Sequence, residues 1–450
     1  MRRLGRDLPR VVAFAAALAG CGGLRAQAFP DPDALARSEP GRYVGIATCG
    51  TASCHGSTLP RKERRVLQNE YFAWDKLDSH RRAYEVLFDA RSATIIRNLR
   101  LPRLAYETKR CLDCHAFVVP ERLQAARLEI EDGISCESCH GPASGWLEGH
   151  RAEGWSHADS VRAGMRDLKD FSVRAGLCLS CHQGDASQTV DHELIAAGHP
   201  VLSFEVDNYT RTLPPHWRIE RENGARAWAT GQAASFASGL ARLAAGAGAG
   251  RWPEFSELSC TPCHHALGDP GKERWRSEQP PESPGLPRVS PARWAVLRHL
   301  VAAFAPEEKA TLEAGVASLT GKTIRFATPA AEIAKAANEL RPSAESAARK
   351  IAHAEIGEPE IRSLLLALAA DRAFATGPDA DVATAEQVYL ALHTLSAELL
   401  ARLPPRAAAR TGLPTALERL AAELQTRNRF DPARFAERLA AFEARVRALR

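Results

Sequence analysis

Five times in this 450-residue chain a histidine directly follows the second of two closely spaced cysteines, and no other feature limits the fold as severely. Four occurrences have the form C-x-x-C-H: Cys111 to His115, Cys136 to His140, Cys178 to His182 and Cys260 to His264. In this pattern two thiols bond covalently to the two vinyl groups of a haem, and the adjoining histidine ligates the iron. Two intervening residues let one short turn present both sulfurs to neighbouring vinyls while the imidazole falls beneath the metal. The fifth occurrence, Cys49-Gly-Thr-Ala-Ser-Cys54-His55, has four residues between its cysteines. Two extra small residues can bulge outward without carrying either sulfur far, so it is read as a haem site as well.

C-x-x-C pairs also build zinc ribbons, but a ribbon needs two knuckles per metal and has no use for a histidine after every second cysteine. A thioredoxin-like dithiol needs a strand-to-helix context that none of the pairs has. Five motifs consume ten of the eleven cysteines and leave Cys21. It ends Leu18-Ala-Gly-Cys21, after an arginine-rich start and an apolar run from Val11 to Leu18 that is too short to span a bilayer. That is a secretory signal, and Leu-Ala-Gly-Cys resembles the lipobox at which bacterial lipoproteins are cleaved and acylated. A rival cut follows Ala26-Gln-Ala28. Both readings export the chain, as a periplasmic or outer-membrane-anchored protein of a Gram-negative bacterium, with Cys21 the lipid anchor in the first.

The formal charge of +5 is no nucleic-acid footprint. Loss of residues 1–20 removes four arginines and one aspartate, and the propionates of bound haems shift the balance further toward acid. No basic stripe with interleaved aromatics stands against that reading.

Residues 21–42 lack periodicity and read as a tether, followed by a cytochrome domain over 43–267. Apolar residues from Arg61 to Leu99 recur at helical intervals and predict a helix that carries His80; Ala225 to Ala245 predicts another. Prolines and glycines over 268–290 mark a linker. Residues 291–450, rich in Ala, Leu, Arg and Glu, predict six to eight helices with stops near Gly321, Pro342, Pro359, Gly377 and Pro404. The fold class is mainly α: a multihaem domain with sparse regular structure around packed haems, then a C-terminal helical bundle.

Gly133-Ile-Ser-Cys-Glu-Ser-Cys-His-Gly-Pro142, Trp74-x-x-x-x-Ser79-His80 and Gly198-His199-Pro200 together resemble multihaem cytochromes related to cytochrome c554. More distantly they are similar to the hydroxylamine oxidoreductase group. The resemblance covers about residues 43 to 267 and leaves out the C-terminal helices. The widened first motif and the fifth haem depart from it, since cytochrome c554 itself carries four.

Such a chain is expected to hold five covalent haem c groups on Cys49, Cys54, Cys111, Cys114, Cys136, Cys139, Cys178, Cys181, Cys260 and Cys263, with His55, His115, His140, His182 and His264 as proximal ligands. What fills the sixth position of each iron decides between electron transfer and catalysis. Met165 is the one methionine left once the signal is removed, so histidines must serve. His80 and His199 match the family motifs and are the leading distal candidates. His265 is placed to reach a neighbouring haem, and His150 and His157 compete for one region. His192 and His216 are equally plausible as ligands or as supports of one, whereas His299, His353 and His393 fall on bundle helices and read as structural. The expected role is transfer of single electrons between redox partner proteins. The alternative is an oxidoreductase acting on a small nitrogen or sulfur compound at one open haem.

Overall fold

The computed structural model of the chain describes residues 41–449 apart from 64–65, 127, 217–222, 261, 265–287, 326, 375–379 and 428–429. The signal, lipobox and most of the tether, His265, and nearly all of the 268–290 linker lie outside the described residues. The fold is mainly helical, and pairing between extended segments is confined, among the described residues, to two isolated bridges, Tyr43 with Gln124 and Leu258 with Val289. No described helix is long and apolar enough to cross a membrane.

The first half consists of short helices joined by turns: α1 Ile46–Cys49, α2 Glu70–Leu77, α3 Ala90–Asn98, α4 Lys109–His115, α5 Cys136–His140, α6 His157–Arg162, α7 Phe171–His182, α8 His192–Ala197 and α9 Val206–Thr212. Carboxylates at their starts explain why they begin where they do. Asp170 accepts from the amides of Ser172 and Val173 ahead of α7, and Asp191 accepts from Leu194 ahead of α8. The single helix expected around His80 is broken by the same chemistry. Asp78 takes the His80 amide and Asp89 takes the Ser92 amide, so the chain forms α2, two one-turn 3-10 segments and α3, with His80 on the first of those turns.

Long helices follow: α10 Gly224–Gly248, α11 Ala292–Phe304, α12 Pro306–Thr323, α13 Ala330–Ala352, α14 Glu358–Ala370, α15 Val382–Arg402, α16 Pro405–Arg410, α17 Leu413–Leu424 and α18 Pro432–Arg447. Pro342, expected as a stop, sits inside α13. It forfeits one hydrogen bond at a cost of about 3 kcal/mol. The apolar stripe Ile333, Ala337, Leu340, Ala344, Ala347 and Ile351 runs straight through it, and burying that stripe offsets the loss. The stop expected at Gly321 comes at Thr323, Pro359 lies in the first turn of α14, and Gly377 is outside the described residues.

The division between 43–267 and 291–450 is not a division of packing. Trp228, Phe236, Leu240 and Leu243 of α10 share one core with Val296 and Leu300 of α11, Ile333 and Ile351 of α13, and Leu392 and Leu399 of α15. A helix as rich in alanine and glycine as α10 is buried nearly all round, so it needs neighbours on every side. At Gly231 an added Cβ would stand 2.8 Å from Val206, which is how closely α9 lies against it. A buried polar seam continues the attachment. Asn208 donates to Leu390 O (3.0 Å) and Thr394 Oγ1 (2.9 Å), its own Oδ1 accepts from His393 Nδ1 (2.6 Å), and Arg211 donates to Glu398 (2.6 Å). His393 therefore has the structural role expected of it.

A chain cut after Gly268 strips α10 of its partners and is expected to aggregate, whereas the whole chain elutes as one species on size exclusion; a soluble, monodisperse fragment would contradict this packing. A second expectation concerns Asp371. It is desolvated by burial, but hydrogen bonds from His299 (2.9 Å) and Arg298 (2.6 Å) outweigh that and hold its carboxyl at about 2. The stability this provides is complete above the unfolded value of about 3.9 and is lost as pH falls through the folded one. Asp371→Asn is expected to lower unfolding free energy near neutrality by about 1.5–3 kcal/mol. In urea melts the gap from the parent should close as the pH approaches 2.

Candidate haem centres

In α4, α5 and α7 the two cysteines and the histidine of each motif occupy positions i, i+3 and i+4, so both sulfurs and the imidazole emerge on one face of a helical turn. The Cys260 motif makes the same turn without a helix around it, with His264 N donating to Cys260 O at 2.7 Å. The widened first motif keeps that closure. His55 N donates to Cys49 O (3.2 Å), while Gly56 N turns back to Thr51 O (2.9 Å), so the extra residues bulge and the histidine amide still closes on the carbonyl of the first cysteine, as His264 does on Cys260. None of the ten motif cysteines is in a disulfide, and among the described residues no cluster of three or more His, Cys, Asp or Glu side chains is arranged to hold a bare metal ion.

The turns are pinned from outside. Glu137, inside the third motif, is 3% exposed and accepts from the amides of Val44 (3.0 Å), Gly45 (2.9 Å) and Ala143 (2.8 Å). Burial pushes its carboxyl up, and these three donors pull the other way. Arg166 donates to the carbonyls of Ser138 (2.6 Å) and Cys139 (2.8 Å) at the end of the same turn. The buried Arg242 of α10 donates to Gln183 O (2.8 Å), just past His182, and pairs with the equally buried Glu257 on the approach to Cys260.

Four of the five motif histidines face a second imidazole. Ring centroids are 6.2 Å apart for His55 and His150, 5.9 Å for His182 and His80, 6.4 Å for His115 and His199, and 6.1 Å for His264 and His192. Two imidazoles bonded to one metal through nitrogens at about 2 Å stand with centroids about 6 Å apart. Separation alone is not distinctive, since Tyr389 and His393 are also 6.0 Å apart. What sets the four pairs apart is that each joins one motif histidine to one non-motif histidine, and that the second ring nitrogen is so often occupied.

Nδ1 of His55 meets Glu70 (2.9 Å), that of His80 meets Asp78 (3.0 Å), and those of His115, His150 and His199 meet the carbonyls of Ala83 (2.8 Å), Trp146 (3.2 Å) and Pro200 (2.8 Å). A carbonyl or carboxylate can only accept, so the proton sits on Nδ1 and Nε2 keeps its lone pair for a metal. The donor set therefore fits haem iron.

His157 does not share this arrangement. Its Nε2, the nitrogen a ligand would use, is bonded to Asp167 (2.8 Å), and no ring contact to a motif histidine involves it. Of the two histidines competing for that region, the structure brings His150 to His55 and leaves His157 holding α6 to the loop beyond it.

His140 is the exception among the motif histidines. No second imidazole stands in ring contact with it among the described residues, although the charge of His216 acts on it. Burial, with that charge in second place, pushes its imidazole down to about 4. His192 was not singled out as a distal ligand from the sequence. The available signal was the spacing His192 to His199, seven residues over a two-turn helix announced by Asp191. The supporting carboxylates Glu70 and Asp78 were missed too, although Asp78-x-His80 is legible once the motif histidine is known.

Residues 48–141 match the family model described as cytochrome c554 and c-prime. The match spans the first three motifs and His80. It does not extend to a hydroxylamine oxidoreductase-like relation, nor does it reach the fourth and fifth motifs. No curated protein and no solved structure matches the chain.

The two competing histidines can be separated by visible spectroscopy. His150→Ala is expected to convert one haem per chain from low-spin to high-spin, while His157→Ala leaves the spectrum of the parent; the reverse result would overturn the reading of Nε2 occupancy.

Proposed function

We propose that this cytochrome c554-like multihaem cytochrome is an electron carrier, passing single electrons along five covalently bound c-type haems between redox partner proteins on the outer side of the cytoplasmic membrane. The observation that carries this reading is the pairing of imidazoles. An iron with a histidine on each side exchanges electrons without binding substrate, and haem supplies that one-electron chemistry when bound. The chain's own residues set the conditions. The ten motif cysteines would hold the haems covalently, and His55 with His150, His115 with His199, and His182 with His80 would supply nitrogen ligands to their irons. Glu70, Asp78 and the carbonyls at Nδ1 orient the rings and raise their basicity.

Contacts between motif segments support sites that adjoin one another: Phe117 N, just past the second motif, donates to Gly133 O just before the third (3.0 Å), and Ile134 N donates to the carbonyl of His80 (3.0 Å), whose ring faces His182 of the fourth. Export follows the arginine-rich, apolar start, with Cys21 as the lipid anchor where the Leu-Ala-Gly-Cys site is used.

One observation favours a second reading. His140 has no opposed imidazole in ring contact among the described residues, so its haem is the one at which a small nitrogen or sulfur compound would bind if the protein were an oxidoreductase. Electron paramagnetic resonance of the oxidised protein, repeated with nitrite, hydroxylamine or cyanide, separates the two. The carrier reading expects every iron to be low-spin and indifferent to these ligands. A stoichiometric high-spin signal that shifts on their addition, and that disappears when Cys136 and Cys139 are both changed to alanine, would replace the carrier with the enzyme.

A further inference from the structure

We propose that α8 and the residues just past it carry ligands for two different irons, His199 for the haem of the second motif and His192 for that of the fifth, and so tie those two sites together. The inference rests on the carrier reading and adds to it the partner of His264.

His192 is the first residue of α8 and His199 lies two residues past its end. Gly198, at φ 123°, ends the helix and turns the chain before His199, so the two histidines leave α8 from opposite ends. Each faces a different motif histidine: His199 stands 6.4 Å from His115, and His192 stands 6.1 Å from His264, ring to ring.

The surroundings of α8 hold it between these two motifs. At its start Asp191 and Glu193 pair with Arg110, the residue before Cys111. At its end Ala197 O accepts from Asn98 (2.9 Å), and the His199 amide closes back on Leu194 O (3.1 Å). On the other side Glu254 Oε1 accepts from the His192 amide (2.9 Å) and also from Ser256 (2.9 Å), six and four residues before Cys260. The ring of Phe255 packs 5.5 Å from that of His192. One carboxylate thus orders both the helix that bears His192 and the segment that delivers the fifth motif to it.

Among the described cysteines Cys260 and Cys263 are the exposed ones, so the fifth motif lies nearer the surface than the other four.

The test uses the full-length, haem-loaded protein. His192→Ala and His199→Ala are each expected to retain all covalent haem by intact mass and to gain one equivalent of high-spin iron per chain in paramagnetic resonance. The double variant should gain two. Imidazole added to His192→Gly should return its high-spin haem to low-spin. His192→Met, which keeps six ligands, should raise the potential of a single haem in a redox titration and leave the rest unmoved.

A His192→Ala spectrum identical to that of the parent would sink the assignment. So would a double variant with only one high-spin equivalent, because both histidines would then serve the same iron. If peptide mapping of the parent finds Cys260 and Cys263 unmodified, the reading of five haems fails, and that is distinguishable from a fifth haem whose sixth ligand is another residue.

Discussion

An imidazole has two nitrogens, and what one of them holds decides where the other points. At His55, His80, His115, His150 and His199 the protein spends Nδ1 on an oxygen that can only accept. Each ring is thereby set in one tautomer and one orientation before any metal is considered. His157 and His299 show the opposite use, with Nε2 committed to a carboxylate, and both serve to hold elements together. The nitrogen left open thus separates these five histidines from those two, whereas His393, whose Nδ1 bonds Asn208 Oδ1, shows that Nδ1 engagement alone does not mark a candidate ligand.

That sorting demands backbone held to a fraction of an ångström, and the cytochrome segment has little regular structure with which to hold it. Its stiffness comes from a few buried polar pins and from the helical unit beside it. Glu137 clamps residues 44–45 and 143 to the third motif, and Arg242 joins the end of the fourth motif to the approach of the fifth through Glu257. Buried charges of this kind are costly unless fully paired, and these are paired on every side the structure shows. Arg242 is a residue of α10, whose apolar body belongs to the core of the C-terminal helices. The long helices are therefore part of how the motif histidines are positioned, and Phe204, stacked 4.4 Å from His182 at the foot of the seam to α15, is where that influence touches one of them.

Much of this was readable in the residues. Five Cys-His motifs defined five turns, and the bulge of the widened first motif followed from its small residues. His80 and His199 were the leading distal candidates and each stands opposite a motif histidine, His150 and His157 were left competing, and the alanine-rich periodicity gave long helices. The errors came where a local signal met a non-local one. Pro342 reads as a stop, but α13 runs through it because its apolar stripe is buried on both sides of the proline. The helix around His80 was lost to Asp78 and Asp89, whose short side chains compete with the helix for backbone amides. A Pro/Gly-rich run reads as a border between domains, yet the core crosses it.

By itself the sequence determined the covalent chemistry, because haem attachment depends on residues within one turn of each other and that turn travels with its own motif. It determined helical content for the same reason, since periodicity and capping are properties of neighbours along the chain. Which histidine stands opposite which depends on residues 72 to 102 positions apart, and no local rule relates His55 to His150, or His182 to His80. Only the tertiary structure decided those pairs, because Leu194 and Ala197 of α8 pack on Ile95 of α3 while Asp191 pairs with Arg110, and this brings His192 and His199 opposite motif histidines formed far away in the chain.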